Sequence, residues 1–186
     1  MKNLLDYVKV YDNVLPKNIC DELIDSFEKN QNLHERYENS KSPQFTQLNI
    51  TSHQIKFGYD LHQTLIQKSV SCLNKYKHEL NIWKEFPEEY SFEHFRMKKY
   101  SYIQEDEFRE HVDVQDYLSA KRFLVFFFYL NDLEYGGETY FPKLDFSVHP
   151  KAGSCLVFPP LWLFPHCGMM PSGKDKYIVG SYLHYR

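Results

Sequence analysis

The stretch from Arg122 to Asn131, RFLVFFFYLN, most limits what this chain can fold into. From Phe123 to Leu130 every residue is aromatic or aliphatic. A strand with one face in water alternates polar with apolar, and this run does not alternate. Both of its faces must therefore be covered. Such a strand is expected to lie buried.

Two helices upstream are suited to cover one side. LPKNICDELIDSFEKN puts Ile19, Leu23, Ile24 and Phe27 on one helical face. YDLHQTLIQKSVSCLNKYKHELNIW repeats the pattern with Leu61, Leu65, Ile66, Val70 and Leu73. Residues 38–57 between them are polar and turn-rich, which suggests a loop with short extended pieces. After Pro87 the pattern shortens to strands broken by Gly and Pro: FEHFRMKKYSYI, HVDVQDY, GGETYF, SVHP, SCLVFPP and KYIVGSYLHYR. Helices followed by antiparallel-looking strands predict an α+β chain, a jelly-roll (double-stranded β-helix) core with N-terminal supporting helices. With no repeat or linker, residues 1–186 read as a single domain. Residues 1–89 are the mainly helical support and residues 90–186 the barrel.

Composition removes several function classes. A hydrophobic share of 42% and an aromatic share of 17% are too apolar for disorder. A net charge of −3 gives no general electrostatic footprint for nucleic acid. The opening MKNLLDYVKVYDNVLP lacks the apolar core of a signal peptide, and no stretch approaches the ~20 apolar residues of a membrane span. Cys20, Cys72, Cys155 and Cys167 are scattered with no CxxC, so neither a zinc ribbon nor a redox dithiol is suggested. Reduced thiols and a cytoplasmic location are the expectation.

The chemistry starts at FREHVDVQDY. In a strand, residues i and i+2 share a face, so His111 and Asp113 would present an imidazole and a carboxylate side by side. H-x-D alone is common on surfaces, and a third ligand is needed from His149, His166 or His184. His166 lies at a strand end before a Gly-rich turn, and the other two have no comparable surroundings. Two histidines and one carboxylate with open positions suit a non-haem Fe(II) oxygenase better than zinc. Lys176, ten positions beyond His166, heads an apolar strand, where it must reach solvent or pair with an anion. The acidic turn Glu105, Asp106 and Glu107 could attract a basic polypeptide, although such clusters are usually only solvated.

The blocks FREHVDV, FFFYLNDLEYGGETYF, HPKAGSCLVFPP and PHCGMMPSGKDKYIVGSYLHY together resemble the prolyl 4-hydroxylase group of 2-oxoglutarate-dependent Fe(II) dioxygenases. The resemblance spans roughly residues 90 to 186. It implies that His111, Asp113 and His166 hold Fe(II), and that Lys176 holds the distal carboxylate of 2-oxoglutarate, assisted by Tyr129. Tyr100 would line the iron pocket, with Tyr102 as its competitor. Arg122 would stand near the substrate entrance and Trp162 would form a wall over the pocket, while GGET around Thr139 would be architectural. The resemblance further implies O2 as co-substrate, ascorbate (vitamin C) as reductant, succinate as co-product, and hydroxylation of an unactivated C–H bond. The expected target is C4 of a prolyl residue in a polypeptide, with a free amino acid as the alternative. Phe126, Phe128 and Phe158 are the expected apolar walls. Tyr182 stands where many relatives have Trp, and Gly180 where some have a hydroxyl residue, so a co-substrate pocket that is wider, or partly filled by water, is expected. A non-catalytic jelly-roll binding protein and a zinc cupin-like enzyme are the competing classes.

Overall fold

The structure, a computed structural model, describes residues 2–38 and 43–186. Its first half carries β1 (Lys9–Tyr11), α1 (Lys17–Lys29), β2 (Glu35–Glu38), β3 (Gln44–Asn49), α2 (Gln54–Phe57) and α3 (Tyr59–Leu80). The strands β4 (Tyr90–Phe92), β5 (Arg96–Tyr100), β6 (Phe108–His111), β7 (Arg122–Tyr129) and β8 (Tyr135–Gly136) follow. After them come β9 (Thr139–Phe141), β10 (Phe146–Val148), β11 (Cys155–Phe158), β12 (His166–Gly168), β13 (Pro171–Ser172) and β14 (Lys176–Tyr185).

The major sheet runs β1-β11-β7-β14-β5-β3-β2, with β4 also paired to β14. The minor sheet runs β10-β9-β12-β6, and β13 pairs with β8 apart from both. All the pairings are antiparallel. The apolar run is buried as expected: β7 lies between β11 and β14, and strand parity divides its residues between two cores. Leu124, Phe126 and Phe128 pack with the buried residues of α1 and α3, among them Leu23, Phe27, Leu65 and Leu73. Val125, Phe127 and Tyr129 face the other way and meet Phe141, Val148 and Phe164 inside the jelly roll.

The two long helices form where their periodicity places them, with Cys20, Leu23 and Phe27 buried on α1 and Leu61, Leu65 and Leu73 on α3. α3 ends at Asn81, whose left-handed φ of 53° lets its N–H turn back to the His78 and Lys77 carbonyls.

Two expectations need correcting. Residues 1–89 are not simply helical support, because β1, β2 and β3 belong to the major sheet and no structural boundary falls at 89/90. The segment at 38–57, expected as a loop with short extended pieces, has such a piece in β3, which pairs with β5 from Thr46↔Lys99 to Asn49↔Arg96, and adds the short helix α2, which was not expected. Residues 39–42 of that segment lie outside the described residues. β3 was hard to recognise because its buried set, Phe45, Gln47 and Leu48, mixes polar with apolar.

Candidate metal centre

His111 ends β6 and His166 opens β12, and the register of the minor sheet sets the two opposite one another. Asp113 lies just past the end of β6, in a bend and not in the strand itself. Its carboxylate still reaches both imidazoles: Oδ1 is 3.6 Å from His111 Nε2, and Oδ2 is 3.7 Å from His166 Nε2. One ligand atom from each residue can be chosen so that all lie within 4.8 Å of one another. His149 and His184 are elsewhere. His149 binds the Leu133 carbonyl at 2.6 Å, and His184 sits on β14 opposite Arg122.

The tautomers suit a metal. His111 Nδ1 lies 2.8 Å from the Arg109 carbonyl and His166 Nδ1 lies 3.2 Å from the Phe164 carbonyl. A carbonyl only accepts, so each Nδ1 carries the proton and each Nε2 is left as a lone-pair donor. Phe108 stacks on His111 at 3.5 Å between ring centroids, and Phe158 meets His166 edge-on at 4.9 Å. Burial pushes the His166 pKa down to about 4 against the pull of Asp113, so the ring is uncharged at neutral pH. Burial raises the Asp113 carboxyl, but His166, His111 and the Tyr182 hydroxyl outweigh it and hold it at about 2. The His166 charge acts only in acid. At neutral pH the Tyr182 hydroxyl, which donates to Oδ1 at 2.9 Å, is the firm support.

Asp113 Oδ2 is buried and has no hydrogen-bond partner among the described residues. An ionised oxygen so placed is costly unless a cation meets it. Two imidazoles, each with Nδ1 held by a backbone carbonyl, and an orphaned carboxylate oxygen converging in this way fit a divalent metal such as Fe(II), with positions left open.

Two spaces adjoin the centre. A cleft of about 650 Å³ runs from β3 across Asp113 to the segment after β6. Behind it, a cavity of about 20 Å³ is lined by Tyr100, Thr139, His166 and Lys176, among others. Lys176 is 2% exposed and makes no hydrogen bond or ion pair among the described residues. Its ammonium lies over the rings of Tyr100 at 5.2 Å and Tyr129 at 5.6 Å. Burial pushes its pKa down to about 7. Gly137, at φ +73°, lets the chain pass beside this lysine: a Cβ there would lie 2.4 Å from Leu133 Cδ1 and 3.4 Å from Lys176 Cδ.

The remaining expected site residues fall out unevenly. Tyr100 lines the inner cavity, whereas Tyr102 is exposed. Tyr129 is fully buried, and its hydroxyl is 2.7 Å from Thr139 Oγ1. Thr139 is thereby more than architectural, since it faces the cavity with Tyr129 behind it. Arg122 lines the cleft while bound to Glu93 through two bonds of 2.8 and 2.9 Å, so it is both an ion pair and an entrance residue. Its Nη1 also donates to the Asp113 carbonyl at 3.2 Å.

Several expectations are overturned. Trp162 is 68% exposed and is not among the residues lining either space. Phe126 and Phe128 face the helices, so the aromatic walls are Phe127 and Phe158, one position out of parity for β7. The inner cavity beside Lys176 is narrow, and of the two outcomes expected there it matches space for water and not a wider pocket. The Phe127 ring would lie 3.0 Å from a Cβ on Gly180, and the space freed by that glycine belongs to the outer cleft. An inner cavity of 20 Å³ holds about one water, so seating a diacid there requires lining side chains to turn aside. In the acidic turn Asp106 is fully buried against Arg36 and offers a basic chain nothing, while Glu105 stays exposed. Lys98, lining both spaces, was missed in the sequence. A KK pair reads as solvated charge, although counting 96, 98, 100 along β5 would have placed it on the face of Tyr100.

Comparison with known proteins agrees with this geometry. No curated protein sequence matches the chain. Solved structures do match its fold across nearly the whole length. The viral collagen prolyl hydroxylase of Paramecium Bursaria Chlorella virus-1, in its 2-oxoglutarate complex, superposes with a TM-score of 0.75 at 23% identity, covering 97% of each chain. A Pseudomonas putida prolyl-4-hydroxylase gives 0.68 at 15% identity, covering 97% of this chain and 93% of the other. A Trichoplax adhaerens prolyl hydroxylase, bound to a hypoxia inducible factor peptide fragment, gives 0.71 at 12% identity, covering 96% and 84%. These likenesses establish the jelly-roll fold. Residues 96–184, which contain His111, Asp113, His166 and Lys176, match the family model of the 2OG-Fe(II) oxygenase superfamily, so this segment is similar to 2-oxoglutarate-dependent dioxygenases.

Proposed function

We propose that this dioxygenase hydroxylates C4 of a prolyl residue within a peptide or protein, forming succinate and CO2 from 2-oxoglutarate. The observation that carries the polypeptide part is the cleft of about 650 Å³ that passes Asp113 and His111 at the surface. Its walls come from β3 on one side and the Val112–Ser119 segment on the other, which leaves room for a chain to cross the metal centre. A free amino acid would instead need an enclosed pocket with a charge for each terminus. The three neighbouring folds are all prolyl hydroxylases by name, and one holds a peptide. That supports the same reading.

Within it, His111, Asp113 and His166 hold Fe(II), which when bound supplies the coupling of O2 activation to oxidation of 2-oxoglutarate. Tyr182 keeps the Asp113 carboxylate in place, and the two backbone carbonyls keep the imidazoles in the ligating tautomer. Lys176 receives the distal carboxylate of 2-oxoglutarate, with Tyr100 and Thr139 beside it and Tyr129 fixing the threonine hydroxyl. Phe127 and Phe158 exclude water around His166. Ascorbate is the reductant in this reading.

The test is mass spectrometry of Pro-containing peptides after turnover, with succinate measured in parallel. One added oxygen on proline, and more succinate with peptide than with free L-proline, is the expected result. Oxygen on another residue would overturn the prolyl assignment. Turnover of free amino acids alone would overturn the polypeptide one.

A further inference from the structure

Lys98 carries a charge that Asp113 attracts from a distance but that no hydrogen bond or ion pair among the described residues answers. The inward residues of β5 run Arg96, Lys98, Tyr100, and the register with β14 sets them opposite Gly180, Ile178 and Lys176. The row thus descends from the outer cleft to the inner cavity, and Lys98 lines both. Its ammonium lies 4.5 Å from the centre of the Phe45 ring and 5.6 Å from that of Phe108. No hydrogen bond or ion pair among the described residues reaches it. Ring faces compensate only part of the cost of withdrawing an ammonium from water. Burial pushes its pKa down to about 8, which leaves it largely charged at neutral pH.

The surrounding wall is short of carboxylates. Arg122 and Arg96 share Glu93, the first through bonds of 2.8 and 2.9 Å and the second at 3.8 Å. Two guanidinium groups with one carboxylate between them, beside an unpaired ammonium, leave this side of the cleft with two uncompensated positive charges. Across the cleft, Asp113 is turned towards the metal centre and Asp116 is engaged by Ser119. Glu110 stands exposed at the rim.

We propose that this wall recognises a carboxylate on the substrate, with Lys98 as the residue that binds it, so that preferred peptides carry Asp or Glu beside the hydroxylated residue. The other source of a carboxylate is 2-oxoglutarate itself. Lys176 already stands unpaired in the inner cavity, however, and the cationic row continues outward from Lys98 to Arg96, away from it. The inference rests on the cleft being the substrate site of the proposed hydroxylase, and it fixes the chemistry of what lies there.

The experiment compares short Pro-centred peptides bearing Glu, or its isostere Gln, at each flanking position in turn. Equilibrium binding and kcat/KM are measured for the metal-loaded wild type, Lys98→Gln and Lys98→Arg. The expected wild-type preference for Glu is about tenfold in the best register, the scale of one charge-assisted contact. It should shrink as salt rises, fall towards one in Lys98→Gln, and largely survive in Lys98→Arg. A wild-type ratio near one, no binding of either peptide, or a preference that persists in Lys98→Gln would overturn the inference. So would a raised 2-oxoglutarate requirement in Lys98→Gln with the peptide ratio unchanged, which would assign the ammonium to the co-substrate. Gln peptides hydroxylated on proline as well as Glu peptides would leave the prolyl reading standing and sink this one. A Glu preference in binding with no oxygen on proline would do the reverse.

Discussion

Two buried aspartates seven residues apart show different uses of the same group. Asp106, in the turn between β5 and β6, is closed on itself: Arg36 donates to both of its oxygens at 2.7 and 2.8 Å, and the Ser101 N–H adds a third bond at 2.9 Å. Asp113 receives one hydroxyl on Oδ1 and nothing on Oδ2. The cations differ in the same way, since Arg36 is fully engaged while Lys176 has no hydrogen-bond or ion-pair partner among the described residues. A satisfied pair holds structure together. An unsatisfied acid and an unsatisfied base, each buried, are the groups to which the proposed function assigns partners from outside, a metal and an anion.

The largest effect should come from the open side of this contrast. His111→Ala, His166→Ala and Asp113→Ala should each abolish iron binding and turnover, well beyond the ~10–100-fold loss typical of removing a supporting hydrogen bond. Metal content and succinate formation, measured on the same preparations, check this. Full iron stoichiometry with activity in all three would break the assignment. Because Oδ2 makes no bond in the protein, Asp113→Asn should lower the metal-free melting temperature less than Asp106→Asn does.

The open groups were also the ones most legible in the sequence. H-x-D, the downstream His and the lysine ten beyond it are fixed by chemistry, so their types and spacing survive reading in one dimension. The burial of β7 was legible for a similar reason, because a strand apolar on both faces cannot leave either in water. That same uniformity hid which of its phenylalanines face the metal, since a run without alternation carries no register. β3 was hidden by the opposite property: as a cleft wall it bears Phe45 and the buried Gln47 where a core strand would bear aliphatics. Asp106 was misread because its partner, Arg36, is seventy residues away. No local pattern announces such a pair.

Next in size is Lys176. Lys176→Ala should raise the 2-oxoglutarate requirement at least about tenfold, as loss of a charge-assisted contact does. Lys176→Arg should rescue only in part, since a planar fork does not fit the space of a compact ammonium. The metal-free protein should respond in the opposite sense. Lys176→Met should be more stable than wild type at neutral pH, by about 2 kcal/mol, as when buried charge gives way to well-packed apolar atoms. The folded-state pKa of about 7 lies below the ordinary 10.5, so below pH 7 both states are charged and the folded one bears the whole burial cost. Between pH 7 and 10.5 the folded state sheds its proton first and that cost fades. The stability gap between variant and wild type should therefore be widest below pH 7 and close towards pH 10.5. A gap that widens with pH would mean that the ammonium has a partner.

On the closed side, Asp106→Asn should cost stability and spare chemistry. Breaking a buried pair costs about 3–5 kcal/mol and an exposed one about 1 or less. With Asp106 fully buried and Arg36 at 28% side-chain exposure, an intermediate loss is expected, read as a lowered denaturation midpoint. Activity of the folded fraction should remain. A change in peptide preference without loss of stability would return the turn to substrate recognition and blunt the contrast with Asp113.

The smallest effect belongs to the residue next door. Glu105 is exposed at φ +54°, a left-handed conformation that its side chain disfavours and that glycine adopts freely. Glycine there removes the strain but gives the unfolded chain more freedom to lose, and the two terms oppose. Glu105→Gly should therefore change stability by less than about 1 kcal/mol, on the stabilising side if relief of strain is the larger. Paired with Asp106→Asn, it separates backbone from charge within one turn. If the turn is held by the carboxylate and not by its conformation, Asp106→Asn should lower the midpoint clearly while Glu105→Gly barely moves it. A large loss in Glu105→Gly would show instead that the glutamate side chain, exposed as it is, holds the turn, and Asp106 would no longer stand as the structural counterpart of Asp113.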